Sequence, residues 1–157
     1  MLHAFSRAEM LIGAQALQKL KDSKVAVFGI GGVGAFAVEA LTRAGVGSFV
    51  LVDDDVLCLT NLNRQLHATL HTLGRPKVEV MKERIISINP DAKVVTRQEF
   101  YTVEVGEKLL QGDFDYVVDA VDTVSAKIDL AVRCTEMGIP IISSMGAGNK
   151  VDPTRFQ

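Results

Sequence analysis

An apolar run long enough to cross a membrane is missing from this chain of 157 residues. Every run falls far short of the ~18 residues that a spanning helix needs. Cysteine is scarce: Cys58 and Cys134 form neither a metal-type pair nor a disulfide framework. That scarcity suits a reducing cytoplasm. Met1 to Met10 includes Arg7 and Glu9 and no long apolar stretch, so no secretory signal is expected. Charge of one sign is barely in excess. The net value of -2 gives no global pull on nucleic acid, although a local basic face stays open. Hydrophobic residues at 48% and charged residues at 23% exclude a disordered tail, a collagen-like fibre and a coiled coil. A chain this long is expected to form one domain, residues 1–157, and to bury about 70% of its unfolded surface.

Strand-like and helix-like segments alternate. Val25-Ala26-Val27-Phe28, Phe49-Val50-Leu51-Val52, Val94-Val95, Tyr116-Val117-Val118 and Ile139-Pro140-Ile141-Ile142 are apolar on consecutive positions, as strands covered on both faces should be. Met10, Ala14, Leu17 and Leu20 recur at helical spacing, as do Val33, Ala37, Ala40, Leu41 and Ala44. Val78, Met81, Ile85 and Ile88 form a third stripe. Ala126, Leu130, Ala131, Cys134 and Met137 form a fourth. The pattern predicts an α/β fold: a Rossmann-like, doubly wound, mostly parallel sheet (residues 23–157) preceded by a helical arm (residues 1–22). The chain stops soon after the loop Gly146-Ala147-Gly148-Asn149-Lys150, which predicts the N-terminal part of a longer protein.

Gly29-Ile30-Gly31-Gly32-Val33-Gly34 follows the first strand and opens a helix, the context in which glycines let a backbone approach a phosphate. The motif alone does not separate NAD, FAD and ATP. Asp53 ends the second strand, 19 residues after Gly34, where a carboxylate accepts hydrogen bonds from a ribose. Asp54 reads as a solvated turn residue. Asn61, Arg64 and Gln65 follow, then Arg75, Pro76 and Lys77 at the start of a helix. Cations there oppose the helix dipole, so they are either tolerated on the surface or converge on a polyphosphate. Asp119 and Asp122 close the fourth strand. Either could hold Mg²⁺ beside phosphate oxygens, while Asp122 or Thr123 could instead cap the next helix. Cys58 lacks a histidine placed to activate it and reads as inert. Cys134 lies on an apolar helix face and reads as core. His67 and His71 stand four apart without a third ligand and read as surface residues. Residues 60–100 hold seven Lys/Arg against four acids, weak support for nucleic acid.

Together, the glycine run, Asp53-Asp54-Asp55, Asn61-Leu62-Asn63-Arg64-Gln65, Arg75-Pro76-Lys77-Val78 and Val118-Asp119-Ala120-Val121-Asp122 resemble the adenylating superfamily. It includes the ubiquitin-activating enzymes and bacterial relatives in thiamine and molybdopterin synthesis. Phe5-Ser6-Arg7, Leu57-Cys58-Leu59-Thr60-Asn61, Asp122-Thr123-Val124-Ser125-Ala126-Lys127 and Ser143-Ser144-Met145-Gly146-Ala147-Gly148-Asn149-Lys150 are most similar to one branch, the tRNA threonylcarbamoyladenosine dehydratases.

The resemblance implies ATP and Mg²⁺ as cofactors. Gly29, Gly31, Gly32 and Gly34 would cradle the phosphates and Asp53 would hold the ribose. Asn61, Arg64 and Lys77 would embrace the phosphates, with Arg64 and Lys77 catalytic at the α-phosphorus, and Asp122 would hold the metal. Arg7 would reach in trans into the ATP site of a homodimer partner. The implied reaction is cyclic dehydration of the modified adenosine in tRNA. The alternative is adenylation of the C-terminal glycine of a ubiquitin-like sulfur carrier. The paired zinc cysteines of the sulfur-carrier relatives are not visible here. A nicotinamide dehydrogenase would need a hydride-transfer acid or base, for which no residue is placed. A dimerising nucleotide-binding fragment without turnover is a further reading.

Overall fold

The computed structural model describes residues 3–144, 152 and 154. The Gly146–Lys150 loop singled out in the sequence lies outside the described residues. Five strands form one parallel sheet: β1 (Lys24–Phe28), β2 (Ser48–Val52), β3 (Lys93–Arg97), β4 (Tyr116–Asp119) and β5 (Ile141–Ser143). Their spatial order is β3-β2-β1-β4-β5. The chain builds outward from β1 to β3 and then returns to the other side of β1. That reversal opens a crevice beyond the carboxyl ends of β1 and β4. Register keeps those ends level, because Phe28 pairs with Val52 on one side and Asp119 on the other. Gly29, Asp53 and Ala120 therefore leave the sheet along one edge.

The central strands are apolar because helices cover both faces. Val25 and Val27 belong to one core, with residues of α3 (Gly34–Ala44) and α4 (Lys77–Ile88). Ala26 and Phe28 belong to the other, with residues of α5 (Val103–Leu109) and α6 (Val124–Glu136). Met81, Ile85 and Leu130 are fully buried, each worth about 1.5–3 kcal/mol relative to exposure. Cys134 lies in the second core, as its helical position predicts. Glu39 links the two helices of the first face: it accepts hydrogen bonds of 2.8 and 2.9 Å from Arg84 and one of 2.8 Å from Arg43.

The sequence pattern differs from the fold in three places. The N-terminal stripe is two helices, α1 (Ser6–Ile12) and α2 (Ala14–Asp22), because Gly13 between them has φ 84 and ψ 159. Of the stripe's apolar residues, Met10 is exposed and Leu17 is buried. The outer strands are not covered on both faces: β3 alternates in burial, and Val95 and Ile142 are exposed. Finally, α5 has no strong helical signal, since its seven residues include two valines and Gly106. Tertiary packing fixes it, for a Cβ at Gly106 would come within 2.4 Å of the Tyr101 hydroxyl.

Candidate nucleotide site

Backbone hydrogen bonds fasten the glycine turn to both neighbouring strands. Gly29 N donates to Val52 O at 2.8 Å, and Ala120 N donates to Phe28 O at 2.8 Å. The four glycines divide into two kinds. A Cβ at Gly29 would lie 2.6 Å from Ala120 O, and one at Gly34 would lie 1.8 Å from Gly29 O. These two let the helix and the end of β4 close on the turn. At Gly31 and Gly32 the atoms nearest to where a Cβ would stand belong to side chains, Gln65 Nε2 at 3.9 Å and Arg64 Cγ at 3.4 Å. The loop after β2 thus crosses over the open part of the turn.

A 3-10 turn, Leu59–Asn61, shapes that crossing. Asn61 is buried; its Oδ1 accepts from Cys58 N at 3.0 Å. Its carbonyl accepts from Arg64 N at 3.2 Å and Gln65 N at 2.9 Å. Arg64 Nη1 donates to Thr60 O and Asn63 Oδ1, both at 3.1 Å. The Cys58 thiol is exposed, and its hydrogen bond with Thr60 pulls it below the ordinary value.

The sequence leaves Lys77 either on the surface or reaching for phosphate. It is buried, and its ammonium is held by acids from the end of β2: 2.6 Å from Asp55 Oδ2 and 3.8 Å from Asp53 Oδ1. Those carboxylates offset the cost of a cation at the N-terminus of α4. Asp53 Oδ2 accepts from Ile30 N at 2.6 Å and Oδ1 from Asp55 N at 2.9 Å. Burial pushes this carboxyl above the usual range, against the pull of both N–H groups and Lys77. Each oxygen keeps a second lone pair for another donor. Asp54 is exposed, as a turn residue should be.

These residues enclose a cavity of about 820 Å³ at the switch point. Its wall includes Gly29, Gly31, Gly32, Asp53, Asn61, Arg64, Gln65, Lys77 and Asp122. Gly34 and Arg7 do not line it: Gly34 is buried in helix packing, and Arg7 is exposed on α1. The sequence pattern did not reveal the far wall, Glu99, Phe100 and Tyr101. Tyr101 packs edge-on against Phe28 and donates to Asp129 Oδ2 at 2.7 Å. Two adjacent aromatics just past a strand end were the available signal.

Asp119 is corrected as a metal candidate. It is fully buried, and its carboxylate faces Lys127 Nζ at 3.1 and 3.2 Å, Val121 N at 3.1 Å and the Ser143 hydroxyl. Asp122 stays exposed on the cleft wall, and α6 begins without a side-chain cap bond. His67 is also corrected. It is buried, not on the surface, and lies in a turn rather than a helix. Neither ring nitrogen has a partner among the described residues. Burial, then the charge of Lys77, lowers its pKa to about 4, so the imidazole is neutral near pH 7. His71 is exposed, as expected. Of the basic excess, Arg84 pairs with Glu39 and Arg75 with Glu83, while Lys93 and Arg97 are exposed.

The donor set fits a nucleotide phosphate: open glycines and two cations, Arg64 and Lys77, line one cavity. Among the described residues no three potential ligands gather into a metal cage. Mg²⁺ commonly takes one or two carboxylates plus phosphate oxygens, and Asp122 fits that smaller demand. Among the described residues, no helix is long and apolar enough to cross a membrane.

Residues 5–157 match the ThiF family. The chain belongs to that family. A similar relative, the tRNA threonylcarbamoyladenosine dehydratase of Bacillus subtilis (strain 168), is 56% identical over 157 residues, covering 100% of this chain and 62% of that protein. The crystal structure of the Escherichia coli tRNA N6-threonylcarbamoyladenosine dehydratase in complex with ATP matches with a TM-score of 0.94 and 42% identity, covering 98% of this chain and 63% of that one. A more distant ThiF relative, the sulfur carrier protein ThiS adenylyltransferase of E. coli (strain K12), is 34% identical over 146 residues, covering 92% of this chain and 58% of that protein. The chain thus spans less than two thirds of the length of these relatives.

Proposed function

We propose that this chain is the ATP-binding part of a cytoplasmic adenylating enzyme that dehydrates N6-threonylcarbamoyladenosine in tRNA. One observation carries the reading: the glycine turn, Arg64, Lys77, Asp53 and Asp122 converge on one cleft of a ThiF-family chain. The 56% identity to a named dehydratase supports that substrate over others.

The chemistry follows from the donors. The glycine turn binds the phosphates and Asp53 accepts from the ribose. Asn61 adds a side-chain donor, since its Oδ1 is already used. The carboxylate of the threonylcarbamoyl group attacks the α-phosphorus of ATP, and pyrophosphate leaves. Arg64 and Lys77 offset the charge that develops there, in a cleft that fixes them beforehand. An internal nucleophile then closes the ring and expels AMP. Mg²⁺, held through Asp122, would draw further charge from the phosphate oxygens. Arg7, which does not line its own cleft, is assigned by the family resemblance to a neighbouring protomer's cleft in a homodimer.

The test is mass analysis of the modified nucleoside after tRNA is incubated with this chain, ATP and Mg²⁺, beside the full-length B. subtilis relative. Loss of one water dependent on ATP supports the reading. A second reading, adenylation of the C-terminal glycine of a ubiquitin-like sulfur carrier, draws on the 34% identity to the ThiS adenylyltransferase. Pyrophosphate exchange that needs such a carrier and ignores tRNA would select it.

A further inference from the structure

Gln65 is 5% exposed and lies on the cleft wall, yet no role in the proposed reaction falls to it. Its backbone is pinned: Gln65 N donates to Asn61 O at 2.9 Å, and its own carbonyl accepts from Ala68 N at 3.1 Å. Its side chain is not. Oε1 is buried without a hydrogen-bond partner among the described residues. Buried polar atoms in folded proteins are nearly always satisfied, and an orphan costs stability. A glutamine kept only for packing would be better replaced by leucine or methionine.

The other end of the amide accounts for the arrangement. Nε2 is the atom nearest the open side of Gly31, 3.9 Å from where a Cβ would stand. Gly31 is the second glycine of the run, where the backbone comes closest to a bound phosphate. Arg64 covers Gly32 with its aliphatic stem, Cγ at 3.4 Å. Successive side chains of one turn thus lie over successive glycines, one charged and one neutral. Presenting N–H to the cleft obliges the carbonyl end to face inward, where it stays unpaired.

We infer that Gln65 is a phosphate-binding residue, donating from Nε2 to a phosphoryl oxygen of the nucleotide at the glycine turn. This rests on the nucleotide reading of the cleft and adds to it a neutral donor. Arg64 and Lys77 supply charge; a carboxamide supplies direction, because its N–H bonds lie in a fixed plane.

The experiment is calorimetric titration of the chain and its Gln65→Leu and Gln65→Glu variants with ATP, AMP and adenosine, together with thermal unfolding without ligand. Gln65→Leu is expected to weaken ATP and AMP about tenfold or more, the effect of losing a hydrogen bond to a charged group. Adenosine should bind all three proteins alike. Gln65→Glu should weaken ATP further, by setting an anion against the phosphates. The unfolding temperature of Gln65→Leu should equal or exceed that of the parent, since an unpaired buried oxygen is removed. Unchanged ATP affinity in both variants overturns the inference while leaving the nucleotide site standing. Equal losses for ATP and adenosine, or a lower unfolding temperature in Gln65→Leu, would make Gln65 structural and overturn it too. If the parent chain binds neither ATP nor AMP, the nucleotide reading fails and takes Gln65 with it.

Discussion

Lys77 Nζ lies 2.6 Å from Asp55 Oδ2, so the lysine proposed to grip a nucleotide is already held by an acid at the mouth of its own cleft. The lysine side chain is 6% exposed and the aspartate 64%. A phosphate entering the cleft competes with that carboxylate for the ammonium. Asp55→Asn should therefore tighten ATP binding by about 2–5-fold, the worth of a solvated ion pair. Titration calorimetry checks this; weaker or equal binding refutes the competition.

Lys77→Ala and Arg64→Ala each remove one fixed cation from the proposed reaction centre. Adenylation should fall by about 10²-fold or more in either variant. ATP–pyrophosphate exchange with the acceptor present reads the effect. Full activity in both would remove them from the chemistry.

Lys127 and Asp119 form a buried ion pair, 9% and 0% exposed, that joins α6 to the ends of β4 and β5. Lys127→Met strands the carboxylate without its counter-charge, a loss of about 3–5 kcal/mol. In a domain of this size that lowers the unfolding temperature by about 6–20 °C. The double variant Lys127→Met with Asp119→Asn should recover much of the loss. A single variant that melts with the parent contradicts the pairing.

His67 supplies a pH dependence. Its pKa falls from 6.5 to about 4 in the folded chain because burial disfavours the cation. A base depressed on folding stabilises above its unfolded pKa and loses that contribution as pH falls. Between pH 6.5 and 4 the fold should lose roughly 3 kcal/mol from this group. His67→Gln should flatten the fall of unfolding temperature across that window. An unaltered slope would mean the imidazole is hydrated in the native state.

The alternation of apolar runs and helical stripes, with Gly29 to Gly34 between the first strand and helix, specified a doubly wound sheet and its crevice. It did so because both signals are local: periodicity reports which faces are buried, and glycines report where backbone must come close. The glycine turn between β1 and α3, and Asp53 just past the end of β2, were legible for the same reason. What distance along the chain conceals, only tertiary structure decided. Asp119 and Asp122, three residues apart, both stayed open as ligands by position, with Asp122 the one the resemblance favoured, until Lys127 and Ser143 were brought onto Asp119. Lys77 could be a surface cation until the end of β2 set Asp53 and Asp55 against it. His67 looked solvated until burial took its ring from water. In each case a charge or polar group takes its meaning from partners contributed by other elements, and the local pattern carries no record of them.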